Sequence, residues 1–207
     1  MVVGLGTGST ATFAIRAIGE RIQKEGLAVR GLPTSQRSEA LARVVGIPLL
    51  DFSQVTELDL TIDGADEVDN AFNLIKGGGG ALVQEKIVAA ASRKMVIICD
   101  SSKVKSTLGA FPLPIAIVRF GWHSTLRKLE GFGHEVSLRR LPDGSPFVSD
   151  DGLYIADMHC GTIPNPPDYE ARIKRIVGVA EVGLFVGLAT AVVIGKDDGT
   201  TEVRLPS

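Results

Sequence analysis

The feature that most constrains this chain is a rhythm in its first half, where short apolar runs alternate with segments of helical period. Val2 to Leu5 is one such run, and Ser9 to Glu25 carries Ala14, Ile15, Ala17, Ile18 and Ile22 along one side at helical spacing. Leu27 to Leu32 reads as a second strand, and Ser35 to Gly46 as a helix opened by a serine cap. Leu58 to Asp63 and Met95 to Asp100 repeat the strand pattern, with a helix from Ala81 to Arg93 between them. Strands separated by helices pair in parallel through crossovers, and the helices then cover both sheet faces. The expected fold is α/β, a doubly wound, mostly parallel sheet.

From Phe111 the rhythm changes. A strand in "PLPIAIVRF" leads to a helix from Ser124 to Glu130, strands in "HEVSLRRL" and "LYIADMHC", a helix from Tyr169 to Ile176 and a strand in "VAEVGLF". The order βαββαβ is that of a small ferredoxin-like α+β module. The final "TAVVIGK", a turn at Asp198-Gly199, and "TEVRL" predict a hairpin that rejoins the first sheet. The expected organisation is a large Rossmann-like domain, residues 1–110 and 187–207, interrupted by a ferredoxin-like domain at 111–186.

With 207 residues, 44% of them hydrophobic, there is ample material for a core. A formal net charge of -2 leaves no large basic field, so nucleic acid and anionic membrane are not expected partners and a small molecule is. Residues 182–195, "VGLFVGLATAVVIG", are shorter than a membrane span and rich in glycine, and read as buried strands. Cys99 and Cys160 lie in apolar strand-like stretches without metal-ligand spacing, as reduced core thiols of a cytoplasmic protein do. His123, His134 and His159 are scattered, and no metal site is expected from them. "MVVGLGTGSTA" opens directly in an apolar strand, without a charged leader, so the natural chain is expected to begin earlier.

Five segments carry candidate chemistry. "GLGTGSTA", Gly4 to Ala11, sets glycines and hydroxyls at a strand-to-helix turn, where bare backbone and a helix N-terminus suit phosphate. It lacks the lysine of a P-loop and departs from the dinucleotide fingerprint, and a tight turn with a hydroxyl cap is the alternative. "TSQRSEA", Thr34 to Ala40, is a similar junction that reads more simply as a helix cap. "DLTIDGADEVD" places Asp63 at the carboxyl end of a strand and Asp66 beyond the Gly64-Ala65 pair, where open α/β sheets hold ligands. With Glu67 and Asp69 this is an acidic run that also fits a solvated loop or a divalent-metal site.

"LIKGGGGALVQEK" sets Lys76 before the tetrad Gly77 to Gly80, and Glu85 inside a helix that is apolar nearly all round. A partly desolvated Glu85 suits a general base; the alternative is a surface glutamate beside Lys86. "VIICDSSK" ends a buried strand with Lys103, a phosphate or alkoxide partner or an ordinary loop lysine. All of these segments follow or adjoin the carboxyl end of an expected parallel strand.

"GLGTGSTA", "TIDGADEVD", "LIKGGGGAL", "EKIVA", "CDSSK", "FPLPI" and "GVAEVGLF", in this order, resemble the ribose-5-phosphate isomerase A family over almost all of the chain. The resemblance implies a doubly wound catalytic domain with a ferredoxin-like lid. It implies interconversion of ribose 5-phosphate and ribulose 5-phosphate in the non-oxidative pentose phosphate pathway, without metal or cofactor, by a homodimer or homotetramer. Carried over, Glu85 is the base that moves a proton between C1 and C2, Asp63 assists ring opening, and Asp66 with Lys76 binds hydroxyls and stabilises the enediolate. Thr7, Gly8, Ser9 and Thr10, the turn Asp63, Gly64, Ala65 and Asp66, the backbone of Lys76, Gly77, Gly78 and Gly79, and Lys103 complete the substrate site. Family members usually carry a helical segment before the first strand, which this sequence lacks. Sugar-phosphate sensing domains of repressors, coenzyme A transferases and amino-sugar phosphate deaminases use related folds. The isomerase is the preferred expectation because Asp63, Asp66, Lys76 and Glu85 are all in place.

Overall fold

The computed structural model describes residues 1–206. In chain order its elements are β1 (Val2–Leu5), α1 (Ser9–Glu25), β2 (Arg30–Pro33), α2 (Gln36–Val44), β3 (Leu60–Asp63), β4 (Glu67–Val68), β5 (Leu74–Ile75), α3 (Leu82–Ala90) and β6 (Met95–Asp100). After a single 3-10 turn at Ser101–Lys103 come β7 (Leu113–Ile117), α4 (Trp122–Glu130), β8 (Glu135–Leu138), β9 (Tyr154–His159), α5 (Pro166–Lys174), β10 (Val179–Val182), β11 (Leu184–Phe185), β12 (Ala191–Gly195) and β13 (Thr201–Arg204). They form two compact units. The first holds Met1–Ala65, Gln84–Ser102 and the chain from Leu188 onward; the second holds Asp66–Val83 and Lys103–Gly187.

The first unit is built on a sheet of order β13-β12-β6-β3-β1-β2, parallel except for β13. Because β1 lies between β2 and β3, the chain steps to one side of β1 and then to the other. The carboxyl ends of β1 and β3 therefore flank a topological switch point, the usual ligand position in an open α/β sheet. Strand alternation supplies both faces. Val3 and Leu5 pack with Ile15 of α1 and Ala42 of α2, while Val2 packs with Leu32, Leu58 and Val88 of α3. A Cβ at Gly4 would come within 2.1 Å of Thr61 Oγ1 and 2.6 Å of Val88 Cγ1, so bare backbone there lets α3 lie close to the sheet. Val88 is three residues beyond Glu85, so Gly4 also sets how deep the glutamate sits.

Element ends follow local chemistry. Gly26 takes φ 67°, its N–H and that of Leu27 returning to Ile22 and Arg21, so β2 starts at Arg30 instead of Leu27. Ser35 Oγ accepts from Ser38 N and Ser38 Oγ from Ser35 N, the serine cap expected for α2. Helix α3 stops at Ala90, short of Arg93, where Ser92 Oγ turns back to Val88 O and meets Thr61 Oγ1 at 2.6 Å. The terminal hairpin does rejoin this sheet, β12 running parallel to β6.

The second unit contains an antiparallel sheet of order β10-β7-β9-β8, with Leu129 of α4 and Ile173 of α5 in its core, as a ferredoxin-like module requires. A second sheet, β11-β5-β4, is made of two-residue strands. It corrects two expectations. "VAEVGLF" is two strands in different sheets, because Gly183 donates to Pro114 O at 2.7 Å and accepts from Lys76 N at 2.8 Å. A Cβ at Gly183 would meet Lys76 O at 2.4 Å, so only glycine makes this bridge. Glu67-Val68 is likewise a strand and not a loop. Its pairing with β5, and the bond from Lys105 N to Val68 O at 2.8 Å, bring residues 66–83 and 103–110 into the second unit.

Candidate active site

In the first unit Asp63 and the loop after β1 meet at the switch point. Asp63, the last residue of β3, is fully buried, and its Oδ1 accepts from Thr7 N at 3.0 Å and Gly64 N at 2.7 Å. Two amide dipoles aimed at one carboxylate oxygen hold it in place. A Cβ at Gly6 would stand 2.2 Å from that oxygen, which explains a glycine where the loop closes over the acid. Thr7 Oγ1 lies 2.7 Å from Thr34 Oγ1 and donates to Ser35 Oγ at 2.8 Å. The "TSQRSEA" junction thus caps α2, as expected, and also braces the first loop.

Gly8 precedes α1 with φ 111°, and among the described residues no side chain caps that helix. Its first-turn N–H groups and the hydroxyls of Ser9 and Thr10 form an end suited to an anion. Arg16, outside the motifs, and Arg37, within "TSQRSEA" but without a role assigned by it, line a cavity of 170 Å³ with Gly6, Thr7, Gly8 and Thr12. A larger groove of 480 Å³, walled by Leu32, Leu50, Phe52, Ile87 and Val88, holds none of the candidate residues, and its size does not make it the site.

Glu85 is 4% exposed, so the surface-glutamate reading does not hold; the exposed edge of α3 is Ile87 and Ala90. A carboxylate in such surroundings has lost much of its water, which is the condition for a base of useful strength.

In the second unit, Asp66 Oδ2 accepts from Gly78 N at 2.8 Å, and a Cβ at Gly78 would lie 2.6 Å from its Oδ1. Lys76 is buried, its N–H bonded to Gly183 O and its ammonium 5.5 Å from the centre of the Phe185 ring. Gly77 (φ 104°) and Gly80 (φ 82°) occupy the left-handed region that other residues avoid, and Gly80 N closes the turn onto Gly77 O at 2.9 Å. Arg139, which no motif marked, donates to Gly77 O at 2.9 Å and Gly78 O at 3.0 Å. Lys103 ends the 3-10 turn, half-buried.

The remaining two acids of the run are structural. Buried Glu67 accepts from Gly109 N and Phe111 N at 2.7 Å each. Asp69 fastens Ala71 N and Asn73 N at 2.9 Å. Among the described residues no three His, Cys, Asp or Glu side chains cluster as a metal site needs. The chain passes between the units at 65/66, 83/84 and 102/103, within three residues of Asp63, Asp66, Glu85 and Lys103, and again at 187/188.

A doubly wound sheet with a glycine and hydroxyl loop and the buried carboxylate of Asp63 at its switch point is the arrangement of an α/β enzyme for a small anionic substrate. Residues 30–199 match the model of the family described as ribose 5-phosphate isomerase A (phosphoriboisomerase A). A ribose-5-phosphate isomerase A of Synechococcus sp. (strain JA-3-3Ab) is 48% identical over 206 residues, 99% of this chain and 90% of the relative. The solved ribose 5-phosphate isomerase A of Methanocaldococcus jannaschii superimposes with TM-score 0.93 at 36% identity, over 99% of this chain and 91% of that one. A D-ribose-5-phosphate isomerase solved in complex with phospho-erythronic acid gives TM-score 0.95 at 34% identity, over 99% and 90%. The chain belongs to the ribose 5-phosphate isomerase A family.

Proposed function

We propose that the chain interconverts ribose 5-phosphate and ribulose 5-phosphate through an enediolate, with Glu85 as the base. In the open-chain aldose, Glu85 takes the proton from C2. The electron pair forms the C1–C2 double bond and charge collects on O1. A proton passes from O2 to O1, and Glu85 returns its proton to C1, giving the ketose. A proton next to a carbonyl is weakly acidic, so this needs a poised base and a partner for the oxyanion. Lys76 and Asp66 hold the two oxygens, and Asp63 assists ring opening. The loop Thr7 to Thr10 and Lys103 take the phosphate, whose binding energy holds C1 and C2 in place.

The observation that carries the base assignment is the burial of Glu85 on a largely apolar helix, where its polar neighbours Gln84 and Lys86 are only partly buried. Family membership supports the reaction. So does the phospho-erythronic acid bound by a relative, which has a phosphate at one end and a planar carboxylate resembling the enediolate at the other. The same proposal takes residues 1–110 and 187–207 as catalytic domain and 111–186 as lid, needs no metal or cofactor, and has the enzyme work in the cytoplasm as a homodimer or homotetramer without nucleic-acid partners. No described helix is long and apolar enough to cross a membrane.

The test is turnover of ribose 5-phosphate by purified protein. Glu85→Gln is expected to keep the fold and substrate binding while losing roughly 10²- to 10⁴-fold in kcat. Near-normal turnover of that variant would sink the base assignment, and strong inhibition by a chelator would restore the metal reading of the acidic run.

A further inference from the structure

A run of four glycines is the least ordered backbone a chain can offer, since each has more freedom to lose than any other residue. A wall against which a transition state is built has to be rigid beforehand. Within the second unit the tetrad is held from two sides. The peptide plane between Gly77 and Gly78 is fixed at both ends, its N–H bonded to Asp66 Oδ2 at 2.8 Å and its carbonyl to Arg139 Nη1 at 2.9 Å. The next plane is different. Its carbonyl, Gly78 O, accepts from the same Arg139 nitrogen at 3.0 Å, while its N–H, that of Gly79, is on an exposed residue. A trans peptide is planar with its C=O and N–H antiparallel, so drawing Gly78 O toward Arg139 turns Gly79 N–H directly away from it.

Arg139 is itself anchored. Its Nε bonds Asp157 Oδ2 at 2.8 Å and its Nη2 bonds Asp157 Oδ1, a two-point pairing with both side chains less than one-fifth exposed. Its guanidinium lies 5.9 Å from the centre of the Phe147 ring, and Phe147 in turn fills the space where a Cβ at Gly80 would stand, 2.4 Å from Cε1. Since Asp157 balances the charge, what Arg139 contributes to the tetrad is direction. A lysine has no fork to span a carboxylate and two carbonyls together.

We propose that Arg139, held by Asp157, is a positioning residue that aims the Gly79 N–H at the substrate oxygen on which charge grows in the enediolate. This deepens the isomerase reading and rests on it. The N–H is worth more as charge develops, so losing its aim acts on turnover more than on substrate binding.

The test compares wild type with Arg139→Met, Arg139→Lys and Asp157→Asn, each checked for folding by circular dichroism and thermal melting. For Arg139→Met and Arg139→Lys, kcat is expected to fall roughly 10- to 100-fold, the scale for a misplaced group, with KM within about threefold. Affinity for phospho-erythronic acid should weaken in parallel with kcat, and affinity for inorganic phosphate should not change. Asp157→Asn, which keeps the guanidinium but loosens its anchor, should show a smaller loss of the same kind and serves if the Arg139 variants do not fold. Wild-type kcat in a folded Arg139→Met protein, full activity in Arg139→Lys, or a loss confined to KM overturns the proposal. An inactive wild type in the same assay overturns the isomerase reading instead.

Discussion

Replacing Glu67 by glutamine separates the structural acids of the "DGADEVD" run from the chemical ones. The carboxylate of Glu67 is 1% exposed and receives two backbone N–H groups, from Gly109 and Phe111, each at 2.7 Å. A glutamine of the same shape has one carbonyl oxygen and one NH2, so it accepts one of these donors and turns a donor toward the other. The first bond falls from charge-assisted to neutral, about 1 kcal/mol, and the second N–H is left buried without an acceptor, about 1–3 kcal/mol. The sum, about 2–4 kcal/mol, is a large part of the stability of an ordinary domain. For a chain of this size it corresponds to roughly 5–15 °C in Tm. Trp122 is the only tryptophan and lies in α4 of the same unit, so its fluorescence reports melting of the unit that Glu67 fastens. The expected result is a lowered midpoint with wild-type kcat below it. A midpoint within about 2 °C of wild type, or a kcat loss like that of Glu85→Gln in folded protein, would refute the division of the acids.

Two further expectations concern the tetrad and the thiols. In Gly78→Ala the new methyl would meet Asp66 Oδ1 at 2.6 Å and drive the carboxylate off the Gly78 N–H, so activity should fall about 10- to 100-fold while Tm changes little, as steady-state kinetics and a melt would register. Cys99 and Cys160 are both buried, and burial pushes the Cys160 thiol up and, chiefly for the same reason, the Tyr169 hydroxyl as well. Neither cysteine should react with a thiol reagent in native protein at pH 8, and both should after unfolding. Because these folded values lie above the unfolded ones, their contribution to stability is complete below the unfolded thiol value, about 8.5, and is lost as pH rises through the folded values. Alkaline unfolding followed by Trp122 fluorescence checks the sign.

What the sequence determined by itself is local. Periodicity, glycines and caps act within a few residues, so β1, β6 and α1 begin and end where the pattern places them and Ser35 caps α2. The doubly wound class, the ferredoxin-like order and the run of motifs were legible for the same reason. Tertiary structure decided what depends on partners far along the chain. That β1 lies between β2 and β3, and so opens a switch point beside Asp63, follows from pairings across tens of residues that no local pattern encodes. The break at Gly183 exists because Pro114 and Lys76 approach it from distant segments. Glu67 reads as one more acid of a loop until Gly109 and Phe111 reach it, and Arg139 as an ordinary strand-end arginine until it grips Gly77 and Gly78. Those partners are backbone atoms, which every residue has, so nothing in the side-chain sequence could mark them. The same holds for "LIKGGGGALVQEK": its residue types announce flexibility, and only the folded chain supplies the carboxylate and the guanidinium that remove it.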